Sequence, residues 1–379
     1  MKKTLFVLFL ALCAAACNSD TRLFQQAKLA QSRGDWANAL QLYNRVIKQN
    51  PQHAPALTNR GLVWERMPAK NPAEKANNRR LAEQDYLRSL EVNPQQPVTY
   101  NNLGALYLDT QRNGEAVAYL SEAIARDPVY FRALLNRAVA YTRLGDFPAA
   151  LADFSAAARL RAHDPVLLYN RALTYWQIGK YEQAEDDLSH ATSVQPNNAQ
   201  LYLLRARVLA KMGYPADAYD DLTEAVTLNP QDPLAYYYLA ELLYQNGDVE
   251  QALGALTKVK ELAIDYAPAY ELAGDMLAMQ APVEATANYM TALKLDPKNA
   301  ATYQRKLEEM KTPAGRYRIV TARFFPSGSR YDISGQRVPR TAQAAPAQPA
   351  APAAADAPLL RTQQAARRAQ TSAAARTSR

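Results

Sequence analysis

Residues 165–198, PVLLYNRALTYWQIGKYEQAEDDLSHATSVQPNN, contain two short amphipathic segments separated by a glycine. In the first segment Leu168, Ala172 and Tyr175 lie at helical spacing, and a second apolar stripe follows the glycine and ends at Pro196. Neither segment could bury its apolar stripe by itself. The stretch therefore predicts two α-helices that pack against each other and against neighbouring helices.

The same pattern recurs along most of the chain. Units of this type begin at residues 20, 54, 97, 131, 165, 199, 233 and 267, and every interval is 34 residues except one of 43. A fixed period of this length is typical of repeated helix pairs, in which each pair buries the apolar surface of its neighbours. The longer interval contains the sequence MPAKNPAEK at 67–75, which predicts a longer turn inside the second unit.

The repeated unit resembles the tetratricopeptide repeat. In the unit that begins at residue 97, the family pattern is matched at these positions: Tyr100, Leu103, Gly104, Tyr107, Ala116, Leu120, Ala123 and Pro128. The resemblance implies an all-α fold, a right-handed α-solenoid of about eight helix pairs over residues 20–311. Within that range a polar C-terminal segment, 301–311, predicts a capping helix.

The N-terminal residues predict export. Residues 1–16 contain Lys2 and Lys3, an apolar run and then small residues up to Cys17. The segment resembles a bacterial lipoprotein signal, which implies lipidation at Cys17, and the alternative is simple signal cleavage. We therefore expect a chain anchored by lipid to the cell envelope. By analogy with enterobacterial lipoproteins, Asn18 after the cysteine favours the outer membrane over the inner, and the sequence leaves open whether the chain faces the periplasm or the cell surface.

The C-terminal residues differ in composition from the repeats. Residues 313–379 contain eleven Arg and two Asp, a net charge of +9, whereas the whole chain carries +8. The repeats are therefore close to neutral. Alternating apolar residues in 312–340 predict a β-hairpin, and 341–379, rich in Ala, Pro and Arg, predict a disordered basic tail.

Four asparagines occupy the same position in four units. They are Asn59, Asn102, Asn136 and Asn170. In repeats of this kind the first helix of each pair lines the concave surface, so the resemblance implies a row of amides in the groove. The row is similar to the asparagine ladder of O-linked N-acetylglucosamine transferase, which holds extended polypeptide. The alternative is that asparagine is merely a frequent residue at this position of the family.

Aromatic residues extend the predicted groove beyond the asparagines. The candidates at inward positions are Tyr169, Trp176, Tyr237, Tyr238 and Tyr244. Tyrosine and tryptophan often anchor binding partners because they offer large contact areas at low entropic cost. The alternative is that some of these tyrosines only pack between helices.

Arginine and aspartate vary together between units. Units with Arg at the seventh position also have Asp in the second helix, and the pairs are Arg60–Asp85, Arg137–Asp153, Arg171–Asp187 and Arg205–Asp221. Units without that Arg lack the Asp. We therefore predict that each Arg forms an ion pair within the scaffold and does not bind a partner.

The sequence contains no recognisable catalytic or metal-binding motif. Its three histidines are scattered, and no phosphate-binding loop or nucleophile elbow occurs. We therefore predict a non-catalytic, membrane-anchored scaffold without cofactor, metal or small-molecule substrate, which binds extended polypeptide in assembly of a cell-envelope complex. The alternative is a tether whose Arg-rich tail binds an anionic envelope surface. Nucleic acid is not an expected partner.

Overall fold

The computed structural model describes residues 21–324 of the 379-residue chain. The predicted signal 1–16, the lipidation site Cys17 and the predicted disordered tail 341–379 lie outside the described residues, so these remain predictions. Between residues 21 and 324 the chain is helical and contains no strand. None of the helices in this part combines the length and apolarity needed to cross a membrane.

The chain divides into two compact units, one ending at Ala162 and the other beginning at His163. Each unit is a series of helix pairs, which confirms the predicted all-α repeat fold. The first unit contains α1 (21–32), α2 (Trp36–Gln49), α3 (Ala54–Arg66), α4 (Pro72–Val92), α5 (Pro97–Asp109), α6 (Asn113–Arg126), α7 (Phe131–Leu144) and α8 (Phe147–Leu160).

The second unit continues the pattern with ten helices in its described residues. They are α9 (Pro165–Gln177), α10 (Tyr181–Val194), α11 (Ala199–Met212), α12 (Pro215–Leu228), α13 (Pro233–Gln245), α14 (Val249–Leu262), α15 (Ala267–Leu277), α16 (Pro282–Leu295), α17 (Ala300–Glu309) and α18 (Pro313–Phe324). A short 3₁₀ turn, Pro297–Asn299, precedes α17.

The turns inside the pairs follow from glycine and aspartate chemistry. Gly145 ends α7 with φ 79° and Gly213 ends α11 with φ 87°, a left-handed conformation that side chains with a Cβ rarely adopt. After the first of these glycines, Asp146 caps α8, because its side chain accepts a hydrogen bond from the backbone N–H of Ala149. The residue that ends α7 and the residue that caps α8 are therefore adjacent in sequence. This tight turn makes the two helices antiparallel.

Small residues allow the helices of a pair to approach closely. In the second unit Gly274 of α15 faces the buried ring of Tyr289 of α16, and a Cβ at position 274 would lie 2.6 Å from the Tyr289 Cε1 atom. Such a distance is much shorter than a van der Waals contact. The ring cannot turn away freely, because the Tyr289 hydroxyl donates a 2.8 Å hydrogen bond to Asp275 Oδ1.

We expect the substitution Gly274→Ala to destabilise the second unit by about 1–3 kcal/mol, since the added methyl forces the packed helices apart. Gly254→Ala is the matched control, because Gly254 is also helical but a Cβ added there would have no neighbouring atom within 4 Å. That control should be neutral or slightly stabilising, as alanine favours a helix more than glycine does. Urea denaturation followed by circular dichroism measures both, and equal midpoints would contradict the packing argument.

The insertion in the second pair lengthens a helix more than a turn. The sequence predicts a longer turn through residues 67–75, but α4 begins at Pro72 and has 21 residues, whereas α2 has 14. Asn71 caps the new start, because its side chain accepts a hydrogen bond from the backbone N–H of Glu74. Proline fits the first turn of a helix, so the same residues that suggest a loop begin α4.

The end of the described chain differs from the prediction. The expected capping helix is present as α17, but the first strand of the predicted hairpin in 312–340 is wrong, because Pro313–Phe324 form the helix α18. Thr312 Oγ1 accepts a hydrogen bond from the Gly315 backbone N–H and starts this helix. Ile319 and Val320 pack on Leu277 and its neighbours. Residues 325–340 lie outside the described residues.

Candidate functional site

The four predicted arginine–aspartate pairs are formed, each within its own helix pair. Arg205 Nε and Nη2 donate to the two carboxylate oxygens of Asp221 at 2.8 and 2.7 Å, and the other three pairs have the same bidentate geometry. Arg205 Nη1 also donates to Ser189 Oγ of the preceding pair. The hydrogen bonds to Asp221 raise the pKa of Arg205, so this guanidinium stays charged and structural.

The four predicted ladder asparagines are partly buried, and two of them already donate hydrogen bonds within the protein. In the first unit Asn136 Nδ2 donates to Asn101 Oδ1 at 2.9 Å. In the second unit Asn170 Nδ2 donates to the Val166 carbonyl at 2.7 Å. Asn102 Nδ2 is buried without a hydrogen-bond partner among the described residues. The role of this row in binding stays a prediction.

The most distinctive cleft lies in the second unit, across the first helices of three successive pairs. Arg207 of α11 lies between Trp176 of α9 and Tyr238 of α13, and its guanidinium carbon is 4.7 Å and 4.5 Å from the two ring centroids. Both distances are within the range of a cation–π interaction. The three side chains line a cleft of about 270 Å³. Further lining residues include Lys211, Glu241 and Gln245.

Arg207 differs from the four structural arginines in its partners. Across residues 21–324 no carboxylate pairs with Arg207, and its contacts are with the two aromatic faces. The Trp176 indole nitrogen is buried and also has no hydrogen-bond partner among the described residues. No hydrogen bond within residues 21–324 engages the Arg207 guanidinium, so its N–H groups can donate to a ligand. The cleft therefore presents preorganised donors to an acceptor group.

Two other predicted aromatic residues lie close to this cleft. Tyr237 makes edge-to-face contacts with Tyr238 at 5.5 Å and with Tyr266 at 5.4 Å between ring centroids. Burial raises the pKa of Tyr169, and the nearby positive charge of Arg207 opposes that shift. The Tyr169 phenol is therefore neutral at physiological pH. The structure thus brings Trp176 and Tyr238 together through Arg207 and places Tyr169 and Tyr237 beside them.

The predicted position of Tyr244 in the groove is contradicted by the structure. Its side chain is only 2 % exposed and packs in the core formed by α13, α14 and α15. Its hydroxyl donates to the Asp275 carbonyl at 3.4 Å. Tyr244 follows Tyr238 by six residues, which places the two rings on different faces of the same helix. Its role is packing between helices.

The spacing of the three cleft residues is visible in the sequence, but it differs from the repeat period, so comparing the same position in successive repeats does not reveal it. Trp176, Arg207 and Tyr238 are spaced by 31 residues, three fewer than the repeat period. A step of three residues is close to one helical turn, so a 31-residue spacing selects side chains that are displaced by one turn in each successive helix. Side chains on such a diagonal meet where neighbouring helices cross. Arg207 is easily missed because its neighbour Arg205 has the structural role.

No metal centre is indicated in the part of the chain from 21 to 324, where no three His, Cys, Asp or Glu side chains are close enough to hold an ion.

Comparison with known proteins then defines the family. Two tetratricopeptide repeat models match the chain, one at 24–69, 101–165 and 203–267 and the other at 141–208, and together they cover more than half of it. The chain belongs to the tetratricopeptide repeat family.

Individual relatives agree with this assignment. Human serine/threonine-protein phosphatase 5 is 33 % identical over 79 residues, which are 21 % of this chain and 16 % of the phosphatase, so the chain spans a small part of that relative. A tetratricopeptide repeat protein from Parabacteroides merdae superposes with a TM-score of 0.53 at 19 % identity, covering 68 % of this chain and 98 % of the other. PilF of Pseudomonas aeruginosa gives 0.50 at 20 % identity, with 56 % and 97 % covered. At these identities the two structures show a shared fold.

Proposed function

We propose that this tetratricopeptide repeat protein is a non-catalytic scaffold that binds extended polypeptide, with the Trp176–Arg207–Tyr238 cleft as its anchoring subsite. The observation that carries the proposal is the guanidinium of Arg207, which lies within cation–π distance of two aromatic rings and has no carboxylate partner among the described residues. A half-buried cation of this kind is stabilised when a ligand supplies an acceptor. Binding partners of tetratricopeptide repeats are commonly polypeptides.

The chemistry of the cleft favours a peptide segment that combines an acceptor with apolar surface. Arg207 can donate two parallel hydrogen bonds to a carboxylate or to backbone carbonyl groups. Trp176 and Tyr238 supply rigid apolar walls, and aromatic and arginine residues are the side chains that most often dominate binding energy at interfaces. Lys211 adds positive charge at the same cleft and Glu241 adds one negative charge.

We place the scaffold in the cell envelope, attached by lipid at Cys17, and we propose that it acts in assembly of an envelope complex. This location rests on the signal-like pattern of residues 1–16 and on the cysteine that follows them. Metabolic labelling with a fatty-acid analogue tests it. Label that is retained in wild type and absent in Cys17→Ser supports the anchor, whereas equal labelling of both chains contradicts it.

A second candidate function is a tether whose basic C-terminal residues bind an anionic envelope surface. It is favoured by the charge distribution, since residues 313–379 carry +9, and α18 already contains Arg316, Arg318 and Arg323 without an acidic residue. Changing the five arginines of 359–379 to glutamine lowers the net charge of residues 313–379 from +9 to +4 (9 − 5 = 4) and should weaken such binding strongly. Under the cleft proposal the same variant keeps its polypeptide partner.

Affinity capture from envelope extract tests the first proposal. The baits are soluble protein from Asn18 to Arg379, the variant Arg207→Gln, and the control Arg305→Gln, which likewise removes one arginine charge from the second unit but at an exposed position outside the cleft. We expect one set of polypeptides to be retained by wild type and the control and lost by Arg207→Gln. Equal recovery by all three baits would exclude the cleft as the binding site.

The asparagine row gives a separate prediction. Replacing Asn59, Asn102, Asn136 and Asn170 by alanine should weaken capture by about tenfold, because neutral hydrogen bonds contribute about 0.5–1.5 kcal/mol each and two of the four donors are already engaged. Helical circular dichroism should remain unchanged. Unaltered affinity would show that asparagine is only a frequent residue at this position.

A further inference from the structure

The cleft around Arg207 is rich in hydrogen-bond donors and poor in acceptors. Within residues 21–324 neither the Arg207 guanidinium nor the Trp176 indole nitrogen has a hydrogen-bond partner. Lys211, which also lines the cleft, carries donors only. The one carboxylate of the lining belongs to Glu241, and Glu241 already has an interaction within the protein. A ligand that suits this lining therefore offers acceptors and few donors.

We infer, on the basis of the proposed function that this cleft anchors polypeptide, that the anchored segment is proline-rich and adopts the polyproline II conformation. Proline keeps its backbone carbonyl but has no backbone N–H. A polyproline II segment makes no internal hydrogen bonds, so its carbonyl oxygens are free to accept from Arg207. By contrast, each N–H of an ordinary segment that is buried in the cleft without an acceptor weakens binding.

Aromatic side chains form a continuous set at this cleft. Trp176 and Tyr238 lie within cation–π distance of Arg207, Tyr237 contacts Tyr238, and Tyr266 contacts Tyr237. Aromatic-lined grooves suit proline-rich segments, because the compact apolar rings of proline pack against aromatic side chains. A polyproline II segment is also largely formed before it binds, so it loses little conformational entropy.

The spacing of the two outer rings fits one turn of such a segment. The ring centroids of Trp176 and Tyr238 lie 4.7 Å and 4.5 Å from the guanidinium carbon of Arg207, so they are at most about 9 Å apart. A polyproline II helix rises about 3.1 Å per residue with three residues per turn, so residues i and i+3 share one side at about 9 Å. One turn can therefore place a proline at each ring and a carbonyl oxygen at Arg207.

An acidic peptide is the main competing ligand, because Arg207 and Lys211 are both cationic. Three features of the cleft disfavour it. The two aromatic rings already stabilise the charge of Arg207. Glu241 lines the same cleft and repels a second carboxylate. A carboxylate also loses more hydration than a neutral carbonyl when it enters a cleft.

Peptide titrations followed by the Trp176 indole N–H resonance test this ligand class, with soluble protein from Asn18 to Arg379. The probe is a blocked alanine–glutamine peptide of about ten residues with proline at every third position, the period of the helix. One comparison peptide has alanine in place of each proline, and another has the same composition with proline at every second position. We expect the first peptide to bind about tenfold more tightly than the alanine peptide, which restores the N–H groups, with the third peptide between them.

Variants of the protein locate the binding and separate the possible failures. Arg207→Gln should weaken the first peptide by about tenfold with unchanged helical circular dichroism, and Arg305→Gln should bind it as wild type does. A proline peptide that binds no better than its alanine counterpart would overturn the inference, as would tighter binding of a peptide with glutamate in place of proline. If a polypeptide captured from extract depends on Arg207 but no proline peptide binds, only the ligand class is wrong. If neither depends on Arg207, the proposed function fails as well.

Discussion

The substitution Arg207→Gln is expected to weaken polypeptide binding by about 10- to 100-fold, which corresponds to roughly 1.4–2.8 kcal/mol. Glutamine keeps part of the side-chain volume between Trp176 and Tyr238 but removes the charge and the paired donors. The loss should appear mainly in the dissociation rate, because most interface substitutions act on that rate. Isothermal titration and surface plasmon resonance with the captured polypeptide measure these quantities.

Three further results separate the proposed role of Arg207 from a general effect of charge. Arg305→Gln should bind as wild type does, whereas Arg207→Lys should recover only part of the affinity, since an ammonium cannot present parallel donors. Wild-type affinity should fall modestly with salt, as expected for one partly buried charge. If Arg207→Gln and Arg305→Gln bind equally well, the anchoring role of the cleft is wrong.

The substitution Asp275→Ala is expected to destabilise the C-terminal part of the second unit by about 3–5 kcal/mol, the range for removing one partner of a buried ion pair. Asp275 is 1 % exposed, and its carboxylate accepts from Lys306 Nζ at 2.7 and 3.0 Å. It also accepts from the Tyr289 hydroxyl. Alanine would leave the Lys306 ammonium with Glu271 as its remaining partner, at 2.6 Å.

The Tyr289 phenol stays protonated, which supports the expected loss of stability in Asp275→Ala. Burial raises the pKa of Tyr289, and the charge of Asp275 raises it further, so the phenol remains a hydrogen-bond donor at every physiological pH. Without Asp275 that donor loses its acceptor in the core, which adds to the cost. Urea denaturation and hydrogen exchange of α15–α18 measure the effect.

A double variant provides the control for this network. Asp275→Leu/Lys306→Met replaces the buried pair with apolar side chains of similar size, and it should be more stable than Asp275→Ala, because it leaves no unpaired ammonium and fills the cavity; the Tyr289 hydroxyl lacks its Asp275 acceptor in both variants. If Asp275→Ala unfolds at the same urea concentration as wild type, the buried network does not hold α15 and α17 together. Because helix repeats interact mainly with their neighbours, α9–α12 should keep their protection in either variant.

Periodicity is sufficient to predict the helix pairs, because each short amphipathic helix has a single way to bury its stripe against its neighbours. The arginine–aspartate pairs are also predictable, since Arg205 and Asp221 are present together and the related residues are absent together. Both features depend on residues that recur from unit to unit. Comparison between units therefore reveals them within a single sequence.

Features that occur once are harder to predict. Tyr238 and Tyr244 are both aromatic residues of one helix, and only the positions of α11, α14 and α15 decide that Tyr238 lines a cleft while Tyr244 is buried. The alternation at Tyr317 and Ile319 fits a strand, but the hydrogen bond between Thr312 and Gly315 starts a helix there. In both cases contacts distant in sequence decide between two locally acceptable conformations.

The most direct test of the central claim is the indole N–H resonance of Trp176 in a protein labelled with ¹⁵N at tryptophan. The chain contains three tryptophans, and the Trp176→Phe variant assigns the resonance. On addition of the captured polypeptide we predict a large shift of the Trp176 signal and unchanged signals for Trp36 and Trp64. Saturated binding with an unmoved Trp176 resonance would contradict the proposal that this cleft anchors the partner.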